Sequence, residues 1–318
     1  MSASTFELDP AVAARLMVIG GDRPPPVLPV GDVESRRVTV GGLQQMLHAE
    51  LDRPADVAVR TFRTRADDGA ELALHWFHQA GTSPGSAVLY LHGGGMIMGS
   101  VALYDAPIAR HVAATGVPFL AVEYRYAPEF PHPVPASDCY AALMWLAGHA
   151  ESLGVDPGRI AVMGDSGGGG LAAAVAILVR DRSGPAPARQ ILVYPMLDDR
   201  TTEPDPAIAS LCTWSYEDNA TGWGALLGAA AGGPDVAPSA APARLTDFSG
   251  LAPAYIEVGA IDVFRDECVG YARRLLAAGV DTELHVVPGA PHAFDAIAPA
   301  AAVSLRVVAD RNRVISDL

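Results

Sequence analysis

Apolar residues along this chain gather into short runs separated by stretches of helical character. Runs at 58–64 and 71–78 flank Asp67-Asp68-Gly69, a turn signal, and predict a β-hairpin. Further strand-type runs lie at 87–91, 119–124, 160–163, 191–194, 254–258 and 283–287. Between most of them the pattern predicts helices over 103–115, 136–150, 167–181, 266–278 and 299–311. Strands alternating with helices predict a mostly parallel eight-stranded sheet with helices on both faces.

Two regions break the alternation. Residues 1–50 hold helix-like pieces interrupted by Asp22-Arg23-Pro24-Pro25-Pro26. Residues 197–250 fall between two sheet strands, are rich in Ala, Gly and Pro, and carry Trp214, Tyr216 and Trp223. An insertion of that length is not expected to be bare loop. The chain therefore divides into 1–50, a core segment 51–196, an inserted segment 197–250 and the remainder of the core, 251–318. No internal repeat and no long linker is visible.

Composition narrows the function classes. Half of the 318 residues are hydrophobic, enough for a sizeable core, and the net charge of −14 argues against nucleic acid and anionic membranes as partners. The continuous apolar run at 171–179 is far short of the roughly 20 residues of a membrane span. The segment Met1-Ser2-Ala3-Ser4-Thr5-Phe6-Glu7 lacks a basic region followed by an apolar one, so no signal peptide is expected. Cys139, Cys212 and Cys268 form no C-x-x-C pair and are expected as free thiols in a reducing cytoplasm. No metal-ligand spacing stands out, and neither metal nor cofactor is expected.

The candidate chemistry centres on Gly164-Asp165-Ser166-Gly167-Gly168, which joins the strand run 159–163 to the helix-forming run 171–179. Strand, Gly-x-Ser-x-Gly and helix describe a nucleophile elbow, a sharp turn that exposes the serine hydroxyl. The glycine run 167–170 also suggests a phosphate loop, but that loop needs a lysine, and all 22 basic residues here are arginine. The same absence excludes a Ser-Lys dyad and Schiff-base chemistry. A serine attacking an acyl carbon needs backbone N–H donors for the oxyanion. Gly167 is one, and His92-Gly93-Gly94-Gly95, directly after the run 87–91, is the partner loop. The base and its orienting acid should follow the serine in the order acid, then histidine. Only His285 and His292 lie downstream. His285 falls inside the last strand. His292 lies just past that strand's end, where open α/β sheets carry their functional groups, and is the candidate base. Asp262, beyond the end of the run 254–258, is the candidate acid. Asp266 and Glu267 are expected instead to cap and charge the start of the next helix, with Asp295 a remaining rival.

Seven ordered blocks now stand out: His92-Gly93-Gly94-Gly95; Tyr124-Arg125-Tyr126-Ala127-Pro128-Glu129; Pro135-Ala136 with Asp138; Gly164-Asp165-Ser166-Gly167-Gly168; Tyr194-Pro195-Met196; Asp262 with Arg265-Asp266-Glu267; and His292-Ala293-Phe294. In these the chain resembles bacterial carboxylesterases of the hormone-sensitive lipase family, within the α/β-hydrolases. The resemblance implies that fold with a helical cap built from 1–50 and 197–250. It implies Ser166 as nucleophile, His292 as base, Asp262 as acid, and Gly94, Gly95 and Gly167 as oxyanion donors, with Gly93 shaping the turn. Glycine at 167 stands where alanine is more usual and is expected to loosen the elbow. Tyr126 replaces a usual leucine. Met96 stands where an aromatic residue often follows the glycines and is expected to change the acyl pocket. That pocket is expected to be lined by Met96, Ile97, Met196, Trp214 and Tyr216, and by resemblance to favour acyl groups of roughly four to six carbons. The implied function is a serine carboxylesterase acting on small neutral esters. The alternatives are an amide or lactone hydrolase with the same triad, or a non-catalytic small-molecule binder of this fold. The strand 283–287, at a sheet edge, offers unpaired backbone groups to a second copy, and the resemblance also points to a homodimer.

Overall fold

The structure, a computed structural model, describes residues 6–20, 28–83 and 85–318. Its eight strands are β1 Val57–Arg65, β2 Glu71–Gln79, β3 Ala87–Leu91, β4 Phe119–Val122, β5 Ile160–Asp165, β6 Arg189–Val193, β7 Ala254–Gly259 and β8 Thr282–Val287. They form one sheet in the order β1-β2-β4-β3-β5-β6-β7-β8. The β1–β2 and β2–β4 pairs are antiparallel, and the other five are parallel. Strands β3, β4 and β7 are buried along their whole length, as expected for a parallel sheet covered on both faces. The edge strand β8 is only half-buried over most of its length.

From β3 the chain crosses to β4 on one side, and from β5 it crosses to β6 on the other. The carboxyl ends of β3 and β5 therefore flank a topological switch point, where α/β sheets open a crevice. The loop after β3 is His92-Gly93-Gly94-Gly95, and the turn after β5 holds Ser166.

The helices are α1 Pro10–Gly20, α2 Val33–Ala49, α3 Asp105–Thr115, α4 Val134–Gly148, α5 Gly167–Asp181, α6 Tyr216–Leu227, α7 Arg265–Ala277, α8 Phe294–Ile297 and α9 Ala302–Ser316. The expected break at Asp22–Pro26 lies outside the described residues. The last helix was expected at 299–311. Instead a short α8 forms first, and α9 starts only after Pro299, whose ring cannot sit inside a helix. The insertion 197–250 holds α6, opened by a capping box between Ser215 and Asp218.

Helix α2 packs against α6. Arg36 is fully buried, donates to Asp218 Oδ1 at 2.8 Å and caps carbonyls of the preceding turn, including Pro29 O at 2.7 Å. Gly31 N donates to Thr221 Oγ1 at 3.0 Å. The N-terminal region and the insertion, distant in sequence, are thus joined by a buried ion pair.

The start of α7 departs from expectation. The residue before the helix is Phe264, with no side-chain cap, and Asp266 pairs with Arg265 at 2.7 Å. Glu267 turns inward and accepts from Leu197 N at 2.6 Å, Asp198 N at 3.3 Å and the Thr201 hydroxyl. Burial pushes its carboxyl well above the usual range. Glu267 thus anchors the chain where it leaves the sheet for the insertion, a role its position in a first helical turn does not betray.

Candidate active site

Ser166 sits between β5 and α5 at φ 56°, ψ −119°, a region that side-chain-bearing residues rarely adopt. The turn is held from both sides. Ser166 N donates to Val193 O at 2.9 Å, and Ser166 O accepts from Gly170 N and Met196 N, each at 3.0 Å. Two flanking positions admit only glycine: a Cβ on Gly164 would lie 2.2 Å from Gly168 O, and one on Gly168 would lie 2.1 Å from Leu91 O. Such strain persists only where neighbours over-determine it.

His292, in the turn after β8, and Asp262, beyond the end of β7, converge on this serine. His292 Nε2 lies 2.9 Å from Ser166 Oγ, and Nδ1 lies 2.8 Å from Asp262 Oδ2. Nδ1–H facing a carboxylate leaves Nε2 free to accept the serine hydroxyl proton. Asp262 is fully buried, and its second oxygen accepts from Phe264 N at 3.0 Å. The imidazole is wedged between the edges of Tyr194 and Phe264, with centroids 4.7 and 5.1 Å away. Thr213 Oγ1 donates to His292 O at 2.6 Å, which tethers the histidine loop to the insertion. Tyr194 belonged to a singled-out block, but nothing in the sequence signalled that Thr213 approaches His292. Asp295 does not reach His292: it accepts from Tyr194 Oη at 3.1 Å and from Arg311 at 2.7 Å. His285 lies on β8 and meets Glu283 at 2.7 Å.

Gly94 and Gly95 face Gly167 across the crevice. A Cβ on Gly167 would meet Gly95 N at 3.1 Å and Met96 N at 2.8 Å. Among the described residues, the N–H groups of Gly94, Gly95 and Gly167 donate to no other protein group, which leaves them available to an oxyanion. His92, sandwiched between Tyr104 and Tyr124, is neutral: burial holds its pKa down at about 4.

A cavity of about 500 Å³ runs from Ser166, Gly94, Gly95 and His292 outward between α2, α3, α8 and α9. Of the expected pocket residues, only Trp214 lines it. The ring of Trp214 closes over the glycine loop, 2.7 Å from where a Gly95 Cβ would stand. Met96, Ile97, Met196 and Tyr216 are buried elsewhere. Met96 Cε points at Gly170 and Met196 Cε at Gly222, while Tyr216 Oη accepts from Asp205 N at 3.1 Å. Met96 thus faces helix α5 and Met196 the insertion rather than the cavity. Leu47 of α2, Tyr104 just before α3 and Ile297 of α8 line it instead.

The cavity floor is polar. Tyr90 Oη donates to Asp165 Oδ2 at 2.8 Å, and burial raises Asp165 to about 7 against the pull of Arg311. Burial would raise Asp295 too, but Arg311 holds it below its usual value. Arg311 also binds Glu257, whose burial outweighs that cation and leaves it raised.

Residues 88–296 match the model of the alpha/beta hydrolase fold family. The ethyl acetate hydrolase of Pseudomonas putida is 32% identical over 304 residues, spanning 91% of this chain and 92% of that protein. The carboxylesterase NlhH of Mycobacterium tuberculosis is 38% identical over 231 residues, 68% of this chain and 69% of that one. Among solved structures, a bacterial heroin esterase superposes with a TM-score of 0.88 at 36% identity, covering 98% of this chain and 97% of that one.

Proposed function

The chain belongs to the α/β-hydrolase family, in its hormone-sensitive-lipase-like group of carboxylic ester hydrolases, and we propose that its reaction runs through an acyl-enzyme on Ser166. The supporting observation is one hydrogen-bonded line, Asp262 Oδ2 to His292 Nδ1 at 2.8 Å and His292 Nε2 to Ser166 Oγ at 2.9 Å. Ser166 Oγ attacks the acyl carbon as His292 Nε2 takes its proton. Asp262 holds the tautomer and stabilises the imidazolium. The carbonyl oxygen becomes an oxyanion and receives hydrogen bonds from the N–H groups of Gly94, Gly95 and Gly167. His292 returns the proton to the departing alkoxide. Water, deprotonated by the same nitrogen, then attacks the acyl-enzyme, and the acid leaves as Ser166 recovers its proton. Replacing Ser166 by Ala should lower kcat/KM on p-nitrophenyl butyrate by roughly 10³-fold or more with the fold intact. A variant with near-native turnover refutes the mechanism.

The region 1–50 and the insertion 197–250 act as a cap, supported by the Arg36–Asp218 pair and by Thr213 on His292. The substrates are short-chain esters, in keeping with a relative named for ethyl acetate. The site of action is the cytoplasm: Cys139, Cys212 and Cys268 are free, and no helix among the described residues is long and apolar enough to cross a membrane. The chain pairs as a homodimer through the exposed edge of β8, and light scattering that finds only monomer at micromolar concentration overturns that pairing.

A further inference from the structure

Met96, the residue directly after the oxyanion glycines, has φ 60°, a left-handed backbone for a side chain that gains nothing from it. Something outside the loop must hold it there. The holding contacts come from the Tyr124–Glu129 turn, a motif that the triad does not use. Before the glycines, Tyr124 Oη donates to His92 O at 2.7 Å. After them, Ala127 N donates to Met96 O at 2.9 Å. Inside the loop, Ile97 N and Met98 N both donate to Gly94 O, at 3.1 and 3.2 Å.

The remaining contact is made by helix α2. Arg37 Nε donates to Ile97 O at 2.8 Å. Its Nη2 donates to Ala127 O at 3.2 Å and to Glu129 Oε2 at 2.7 Å. Its Nη1 donates to Glu129 Oε1 at 2.7 Å and to Glu34 Oε1 at 3.1 Å. All five N–H groups of the guanidinium are engaged, so its plane and position are fixed. One side chain therefore joins α2, the glycine loop and the Tyr124–Glu129 turn. The adjacent Arg36 points the other way, into α6 through Asp218. Helix α2 is thus pinned to the insertion by one arginine and to the oxyanion loop by the next.

We propose that Arg37 is a positioning residue, which sets the Gly94 and Gly95 N–H groups in register and makes that register depend on the seating of helix α2. Arg37 touches neither substrate nor reacting atoms. It acts through Ile97 O on the turn that Gly94 O closes. With helix α2 seated the oxyanion hole is complete, and displacing α2 from Ile97 O misaligns the hole. This inference rests on the esterase mechanism above.

The test compares the native chain with Arg37→Met, Arg37→Lys and Glu129→Gln. Each is measured for kcat and KM on p-nitrophenyl butyrate, and for Ki of a trifluoromethyl ketone, whose adduct with Ser166 places an oxyanion in the hole. Arg37→Met should lower kcat about 10- to 100-fold, the scale of an ångström misplacement, with KM within about threefold. The ketone Ki should rise by the same factor as kcat/KM falls. Arg37→Lys should recover part of the loss, since an ammonium reaches Ile97 O but cannot also serve Ala127 O and both Glu129 oxygens. Glu129→Gln should fall between Arg37→Lys and native. Arg37→Met with native kcat and Ki but a lower Tm makes the residue merely structural and overturns the proposal. If Arg37→Met does not fold, native kcat and Ki in both milder variants overturn it equally. A native chain that neither hydrolyses the ester nor binds the ketone removes the esterase mechanism itself, a separate outcome.

Discussion

A Cβ at position 167 would stand 2.8 Å from Met96 N and 3.1 Å from both Gly95 N and Gly95 Cα. Glycine at this position was expected to loosen the elbow. The contacts give it a different role, letting Gly167 and the glycine loop, the two arms of the proposed oxyanion site, close to a distance that a methyl group forbids. Gly167→Ala should therefore push the glycine loop outward and lower kcat about tenfold or more with little change in KM. Steady-state kinetics on one short ester decide this, and an unchanged kcat shows that the loop relaxes freely. The choice of acid is tested at the same scale. Asp262→Asn leaves the wrong tautomer facing Ser166 and should cost roughly 10³-fold or more in kcat/KM. Asp266 is exposed beside Arg265, and Asp266→Asn should stay within about twofold. The reverse ranking would place the acid elsewhere.

At the scale of elements, the cavity wall next to the glycines belongs to Trp214 from the insertion, while Met96 faces Gly170 on α5. Trp214→Ala should move the preferred acyl chain longer by roughly two carbons, each added methylene contributing about 0.8 kcal/mol once buried. Met96→Ala should leave the preferred length unchanged. A series of p-nitrophenyl esters from acetate to palmitate measures both, and a shift with Met96 but not Trp214 contradicts this wall. The contrast shows what the chain reveals and what it hides. The inner strands β3 to β7 were legible because each is an apolar run buried in the sheet, the largely exposed β1 and its partner β2 because a turn signal separates them, and the half-buried β8 because its apolar residues alternate. That Ser166, His292 and Asp262 meet was legible because each follows a strand at its carboxyl end. The cavity walls were not, because α2, α3, α8 and α9 assemble them from positions far apart in sequence. Glu267 and Arg37 were missed for a related reason: a charged residue in a helical turn looks the same whether it meets solvent or a buried carbonyl.

At the scale of the whole molecule, the buried His92 and the half-buried His111 are among the groups that couple the fold to pH. Burial holds both His92 and His111 at about 4, below their ordinary 6.5, and His111 Nδ1 meets Asn312 Oδ1 at 2.7 Å. Between these values the unfolded chain takes up protons that the folded chain refuses. Each histidine therefore contributes stability that is fully present above pH 6.5 and is lost as pH falls toward 4. The raised Asp165 acts in the opposite sense, so the difference between native and His111→Gln isolates one proton. Urea midpoints between pH 4 and 8 should show a slope shallower by one proton in the variant below pH 6.5, and equal slopes above it. Equal slopes throughout would mean that His111 takes up its proton in the fold as readily as in the unfolded chain. The central claim, a single activated serine, is tested most directly on the intact chain. After reaction with an organophosphonate ester probe, whole-protein mass should increase by one phosphonyl group, with the label mapped to Ser166 and esterase activity lost in proportion. Label on another residue, or full activity in the singly labelled protein, would contradict it.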